Sequence, residues 1–160
     1  MIETLLPFFE WAEGTGVGQL VRTSLWLFPV IESVHLLGLS ALGGTVLLVD
    51  LRMLGAGLTR QSLSSVAAAV HPWLVASVAL LMLTGIPLFL SEAVKCFYNP
   101  SFWVKMATLP VALLYTFTVR RRVAMRPGRE TSLLTRVVAA VSLLLWFTVA
   151  AAGRWIGYSS

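Results

Sequence analysis

Soft metal-ligating chemistry is scarce in this sequence, which holds one cysteine, Cys96, and two histidines, His35 and His71. A single cysteine excludes an intrachain disulfide and any cysteine-based metal site. Charge is scarce as well, at 12% of residues, about half of the roughly 25% usual in a soluble domain. Acids are the rarer sign, seven against twelve Lys and Arg. The net +5 is not a nucleic-acid signature, because most of the excess lies in one short loop between apolar segments. No Gly-rich phosphate loop, zinc spacing or nucleophile triad is present, so nothing argues for a hydrolase or transferase and no catalytic residue is assigned. The first twenty residues lack a basic n-region and carry Glu3, Glu10 and Glu13 instead, which reads against a cleaved signal.

What is abundant is apolar sequence. Hydrophobic residues make up 58% of the 160, and mean hydropathy is +0.84, which places the chain among integral membrane proteins with a single domain. Four segments approach the roughly 20 apolar residues that a spanning helix needs: about 26–49, 72–91, 102–119 and 133–153. Asp50 and Arg52 close the first, His71-Pro72 opens the second and Glu92 closes it, Asn99-Pro100-Ser101 opens the third, and Arg154 ends the fourth. The stretch before them, about 3–22, mixes aromatics, leucines, acids and glycines and reads as an amphipathic helix on the membrane surface. The expected fold is therefore all-α, a four-helix transmembrane bundle with an N-terminal interfacial amphipathic helix.

Basic residues set the orientation. Arg52 and Arg60 lie in the first connection, and Arg120, Arg121, Arg122, Arg126 and Arg129 in the third. Both connections should face the cytoplasm, which leaves both termini outside. Trp11, Trp26, Trp103 and Trp155 fall near the expected outer interface and Trp73 near the inner one, where indole rings favour the headgroup level. Arg120 to Arg122 read as a topology anchor in contact with membrane lipid, and Asp50 with Arg52 as a helix-end cap and local ion pair.

Ionisable groups inside the spans carry the functional question. Such a group costs on the order of 2.5–3.5 kcal/mol at the centre of a span, so something must compensate it. At about 1.5 Å rise per residue, His35 lies about 12 Å below the outer boundary, with Glu32 one turn shallower on the same face. His35 and Asp50 are about 22 Å apart along the first helix. His71 starts the second helix near the level of Asp50, so the two histidines cannot share one metal within a chain. Imidazole is a usual axial ligand of haem iron, and facing helices of a bundle build such sites. Gly38 and Gly85 offer flat backbone for a macrocycle, Met82 a thioether sixth ligand, and Lys105 and Arg154 counter-charges for propionates, with Glu32 orienting the imidazole.

The leading expectation is thus a b-type haem protein carrying electrons to or from quinone or a redox partner. Two alternatives stand beside it. Glu32, His35 and Arg154 form a polar staple in a non-catalytic membrane scaffold or complex subunit, or Glu32 and His35 form a proton relay in a small proton-coupled transporter. Gly38, Ala41 and the Gly43-Gly44 pair allow close helix approach and suggest a homodimer.

Three stretches, LLVDLRMLG, FYNPSFWVK and AAGRWIGY, resemble a bacterial family of four-helix membrane proteins of unknown function, over about Leu25 to Tyr158. That resemblance singles out His35, Asp50, Arg52, Tyr98, Asn99, Lys105, Gly153, Arg154 and Trp155, and implies a bacterial inner membrane. VHLLGLSALGG is loosely similar to the first helix of the copper-resistance D-type family and of haem-handling membrane oxidases. This likeness implies haem or copper without implying an activity.

Overall fold

The computed structural model describes residues 3–126 and 132–158. A 3-10 turn, Glu3–Leu5, leads into α1 (Leu6–Glu13) and α2 (Gly16–Thr23). The long helices α3 (Leu27–Leu54) and α4 (Leu63–Ser91) come next, then short α5 (Ala93–Tyr98). The third long segment is composite: α6 (Pro100–Tyr115), a π turn (Thr116–Arg120) and α7 (Arg121–Ala124). The last helix is α8 (Leu133–Tyr158). Four of these segments are long and apolar enough to cross a membrane, which makes this a multi-pass helical bundle. α3 packs against α4 and α8, and α8 against α6. Because the long helices alternate in direction, the connections after α3 and after α7 share one end, called here the arginine end, and the termini and α5 share the other.

The helices outrun their apolar cores. α3 continues five residues past the expected Val49, to a left-handed Gly55 at φ 79° whose amide donates to the carbonyl of Arg52, the usual glycine stop. α4 starts at Leu63, not at His71-Pro72. Ser62 caps it by accepting from the amide of Ser65 at 3.2 Å, and the apolar run through Val70 carries the helix past Pro72. A proline costs one backbone bond there, a loss that packed membrane helices tolerate.

The expected single interfacial helix is two. Gly14 ends α1, and the Thr15 hydroxyl accepts from the amide of Gly18 to start α2. Nor do these helices merely lie on a membrane surface. Phe9 and Ala12 are buried among Phe97, Phe102 and Phe89, with the Phe9 ring edge-on to Phe97 at 5.2 Å. Glu13 ion-pairs with Arg22 and accepts the amide of Val94 at 2.8 Å, tying α1 to the start of α5. At Gly18, α2 approaches α4 so closely that a Cβ would lie 2.5 Å from the carbonyl oxygen of Leu90, so only glycine fits. Phe8, Trp11 and Leu20 stay exposed on the far face, where a membrane interface would take them.

Candidate functional site

On α3 the inward positions are His35, Gly38, Leu42, Val46, Val49 and Met53, a three-four spacing that keeps one seam against the neighbouring helices. His35 therefore points at α4 rather than at lipid. Its Nδ1 lies 2.8 Å from the Thr84 hydroxyl oxygen. That hydroxyl also donates to the carbonyl of Leu80 at 2.7 Å. A hydroxyl has one proton, and a carbonyl can only accept. Thr84 therefore gives its proton to Leu80 and accepts one from His35, which fixes the Nδ1–H tautomer. Nε2 is left with its lone pair and takes no hydrogen bond among the described residues. Thr84 was not among the residues expected from the sequence.

The glycines act as helix contacts. A Cβ on Gly85 would lie 3.4 Å from the His35 ring, and one on Gly38 would lie 3.3 Å from the Leu80 side chain, with Leu81 next. Gly38 is thus covered by α4, and its backbone does not offer an open face to a flat group. Met82 lies one turn along α4 from Gly85 and is 41% exposed. Lys105 on α6 runs along α8, where a Cβ on Gly153 would sit 3.6 Å from its Nζ. This side chain makes no hydrogen bond or ion pair among the described residues.

The staple drawn from Glu32, His35 and Arg154 is not assembled. Glu32 is exposed. Arg154 turns along its own helix, donating to the Tyr158 hydroxyl at 2.6 Å and stacking over that ring at 4.5 Å. Among the described residues no group of three or more His, Cys, Asp and Glu stands together, so His35 is not part of such a cluster.

A second polar cluster lies toward the arginine end. Asp50 is fully buried, with one oxygen accepting Arg120 Nε at 2.6 Å and the other accepting the Ser142 hydroxyl at 2.6 Å. Arg120 Nη2 donates to the carbonyl of Val46 at 3.0 Å. This corrects the expected local pair of Asp50 with Arg52, whose Nε donates to the carbonyl of Gln61. It also moves Arg120 from the surface anchor into the core, while Arg121 and Arg122 remain exposed and Arg129 lies outside the described residues. A π turn spans Thr116–Arg120 here. Arg120 ends that turn four residues beyond buried Thr116 and shares its inward face. Trp146 Nε1 donates to the Thr116 hydroxyl at 3.0 Å and braces that turn. His71 sits beside it, its ring edge-on to Phe117 at 6.2 Å. His71 and Thr84 are thirteen residues apart on α4, about 20 Å, so the histidines do stand at different depths.

Cys96 on α5 is buried beside Phe97 and Phe102. Burial, followed by the Glu92 carboxylate, pushes its thiol up to about 11. At pH 7.5 about one molecule in several thousand then holds the reactive thiolate. Alkylation of Cys96 in the folded protein is expected to be slow and to climb about ten-fold per pH unit through pH 10, followed by mass spectrometry; a plateau by pH 9 would contradict the burial. The folded state holds this proton more tightly than the unfolded chain. Its stabilising effect is therefore complete below about pH 9 and is lost as pH rises through 11.

The bundle, its buried ion pair and its unshared imidazole define a class, the multi-pass helical membrane proteins with polar groups inside the span. Residues 8–159 match the model of a family described as a family of unknown function, DUF6644, and the chain belongs to it. No curated protein and no solved structure matches it.

Proposed function

We propose that this protein is a bacterial inner-membrane b-type haem protein in which His35 Nε2 would hold the haem. The observation that carries the reading is the His35–Thr84 bond. It holds one nitrogen as a donor to protein and presents the other, lone pair free, from inside an apolar bundle. Ligating histidines are held in this way, the far nitrogen bonded so that tautomer and ring angle are set. A quinone carbonyl is the poorer match, since Nε2 without a proton has nothing to donate. The loose likeness of VHLLGLSALGG to haem-handling membrane proteins points the same way.

The residues fit such a group in part. His35 supplies one ligand and Lys105 an unshared ammonium for a propionate. Met82, the thioether expected from the sequence as a second ligand, is 41% exposed on α4. Haem would supply one-electron chemistry, to or from quinone or a redox partner. His35 would orient and hold the group, Thr84 would fix the imidazole, and Lys105 would offset negative charge in a medium that solvates it poorly. An absorption spectrum of protein purified gently from haem-replete cells tests this directly.

A non-catalytic scaffold or complex subunit is the second reading, favoured by the close cover that Leu80 and Leu81 give Gly38. The proton-coupled transporter has less support, since Glu32 is exposed and not joined to His35. In the homodimer proposed with the haem reading, the Gly43-Gly44 pair, with nothing within 4 Å of an added Cβ, would be the contact. A detergent-corrected mass of one chain at every concentration would count against it.

Orientation belongs to the same proposal. The arginine end, with Arg52, Arg60, Arg121, Arg122 and Arg126, faces the cytoplasm and both termini the periplasm. With Cys96 replaced, a cysteine introduced at Arg60 is expected to resist an impermeant thiol reagent in intact cells. Ready labelling would reverse the topology.

A further inference from the structure

At the arginine end a narrow cleft runs between α4 and the π turn with α7, lined among others by Ala67, His71, Thr116, Phe117, Arg120 and Arg121. Three features make it more than a packing gap.

The first is the state of Arg120. Its Nε and Nη2 are used on Asp50 and on the carbonyl of Val46. Nη1 takes no protein partner among the described residues. No buried side-chain nitrogen or oxygen among the described residues lacks a partner, so the unpartnered Nη1 keeps some access on a residue only 5% exposed. Arg120 lines the cleft, which leaves Nη1 as its nitrogen available to a ligand there.

The second is the sign of the charge. The lining carries two guanidinium groups and an imidazole and, among the described residues, no carboxylate. Asp50 stands behind Arg120 and holds it in place without entering the cleft. The third is size. A volume of about 30 Å³ admits a water or one oxygen of a larger anion, but not a whole ligand. Whatever binds must sit at the mouth, beside exposed Arg121, and reach inward with one oxygen.

We infer that this cleft binds the phosphate group of an anionic phospholipid in the leaflet at the arginine end. The chemistry it recognises is a phosphate oxyanion, taken by Arg120 Nη1 within and by Arg121 at the mouth, with His71 and the Thr116 hydroxyl on the flanks. Basic pockets between membrane helices bind such headgroups, and the exposed apolar side chains of Trp73 and Met125 suit an acyl chain better than water. The inference is independent of the haem reading, because no residue is shared.

The test uses the full chain in dodecyl maltoside. Apparent affinities come from thermal unfolding midpoints in titrations with short-chain phosphatidylglycerol, short-chain phosphatidylcholine and inorganic phosphate. Phosphatidylglycerol is expected to bind at least about five-fold more tightly than phosphatidylcholine, the preference one basic side chain near the surface provides. Arg121→Gln should abolish most of that preference. Arg122→Gln, exposed but outside the lining, should preserve it. Equal affinities for the two lipids would overturn the proposal. So would equal loss in Arg121→Gln and Arg122→Gln, which would mean diffuse surface charge. Inorganic phosphate as effective as phosphatidylglycerol would overturn the lipid as the source and leave a free-anion site.

Discussion

Replacing Arg120 with Gln is expected to destabilise the protein by about 3–5 kcal/mol, the usual result of removing one partner from a buried ion pair. Asp50 would be left fully buried with only Ser142 to bond to. The π turn, no longer held to α3, should relax toward an ordinary helix. Asp50→Asn is expected to cost less, because the amide oxygen can still accept from Arg120 while no stranded carboxylate remains. The informative protein is the double variant Asp50→Asn with Arg120→Gln, in which neither charge is present. It should recover more than half of the loss. Unfolding in mixed micelles, followed by circular dichroism, measures all three. Additive losses in the double variant would mean that the two side chains act separately.

The second large effect falls on His35. If it ligates haem, the parent protein carries a Soret band and the reduced spectrum of a b-type haem, and His35→Ala loses most of both while still inserting. Thr84→Val removes the acceptor of the Nδ1 proton but leaves Nε2 in place. It should weaken retention by about ten- to a hundred-fold, the usual penalty for losing a bond behind a ligand. Thr84→Ser should restore it. Glu32→Gln should have little effect, since that carboxylate is exposed. Under the scaffold reading the parent is colourless, and His35→Ala and Thr84→Val lose similar stability. A colourless parent from haem-replete cells ends the haem proposal.

These two sites differ in how far the sequence revealed them. The four spanning segments were legible because hydropathy alone marks them, and each expected span falls on one long helical segment, the first starting one residue before α3 and the third running from α6 into the π turn. Their ends were not. Ser62 and Gly55 cap helices beyond the apolar window, and a proline at position 72 reads as a start when it is an interior residue. His35 was visible as an imidazole in apolar sequence, but its partner was not. Threonine is an ordinary residue in a membrane helix, and nothing in the letters says that Thr84 faces the ring. The Asp50–Arg120 pair was hidden for a different reason. Asp50 continues the inward spacing of Val46, Val49 and Met53, a usable hint that it is buried. Arg120 shares a face with Ala112 and Thr116 at four-residue spacing, but small and hydroxyl residues in an apolar run do not mark that face as inward. A run of three arginines at a helix end looks alike whether or not one of them faces inward.

The bond from Val94 to Glu13 spans 81 residues of chain. At about 5–20 residues per second, roughly 4–16 s of synthesis separate the appearance of Glu13 from that of Val94. During that interval Phe9 and Ala12 have no pocket to enter, because α5 and α6 do not yet exist. Until then α1 lacks its final seat, and a membrane interface would take its apolar side chains meanwhile. In the finished protein Phe8, Trp11 and Leu20 still face outward, as a segment needs that rests on lipid before it docks. The opening of the chain is thus among the last pieces to be seated, and it closes over a bundle whose third long helix must arrive first.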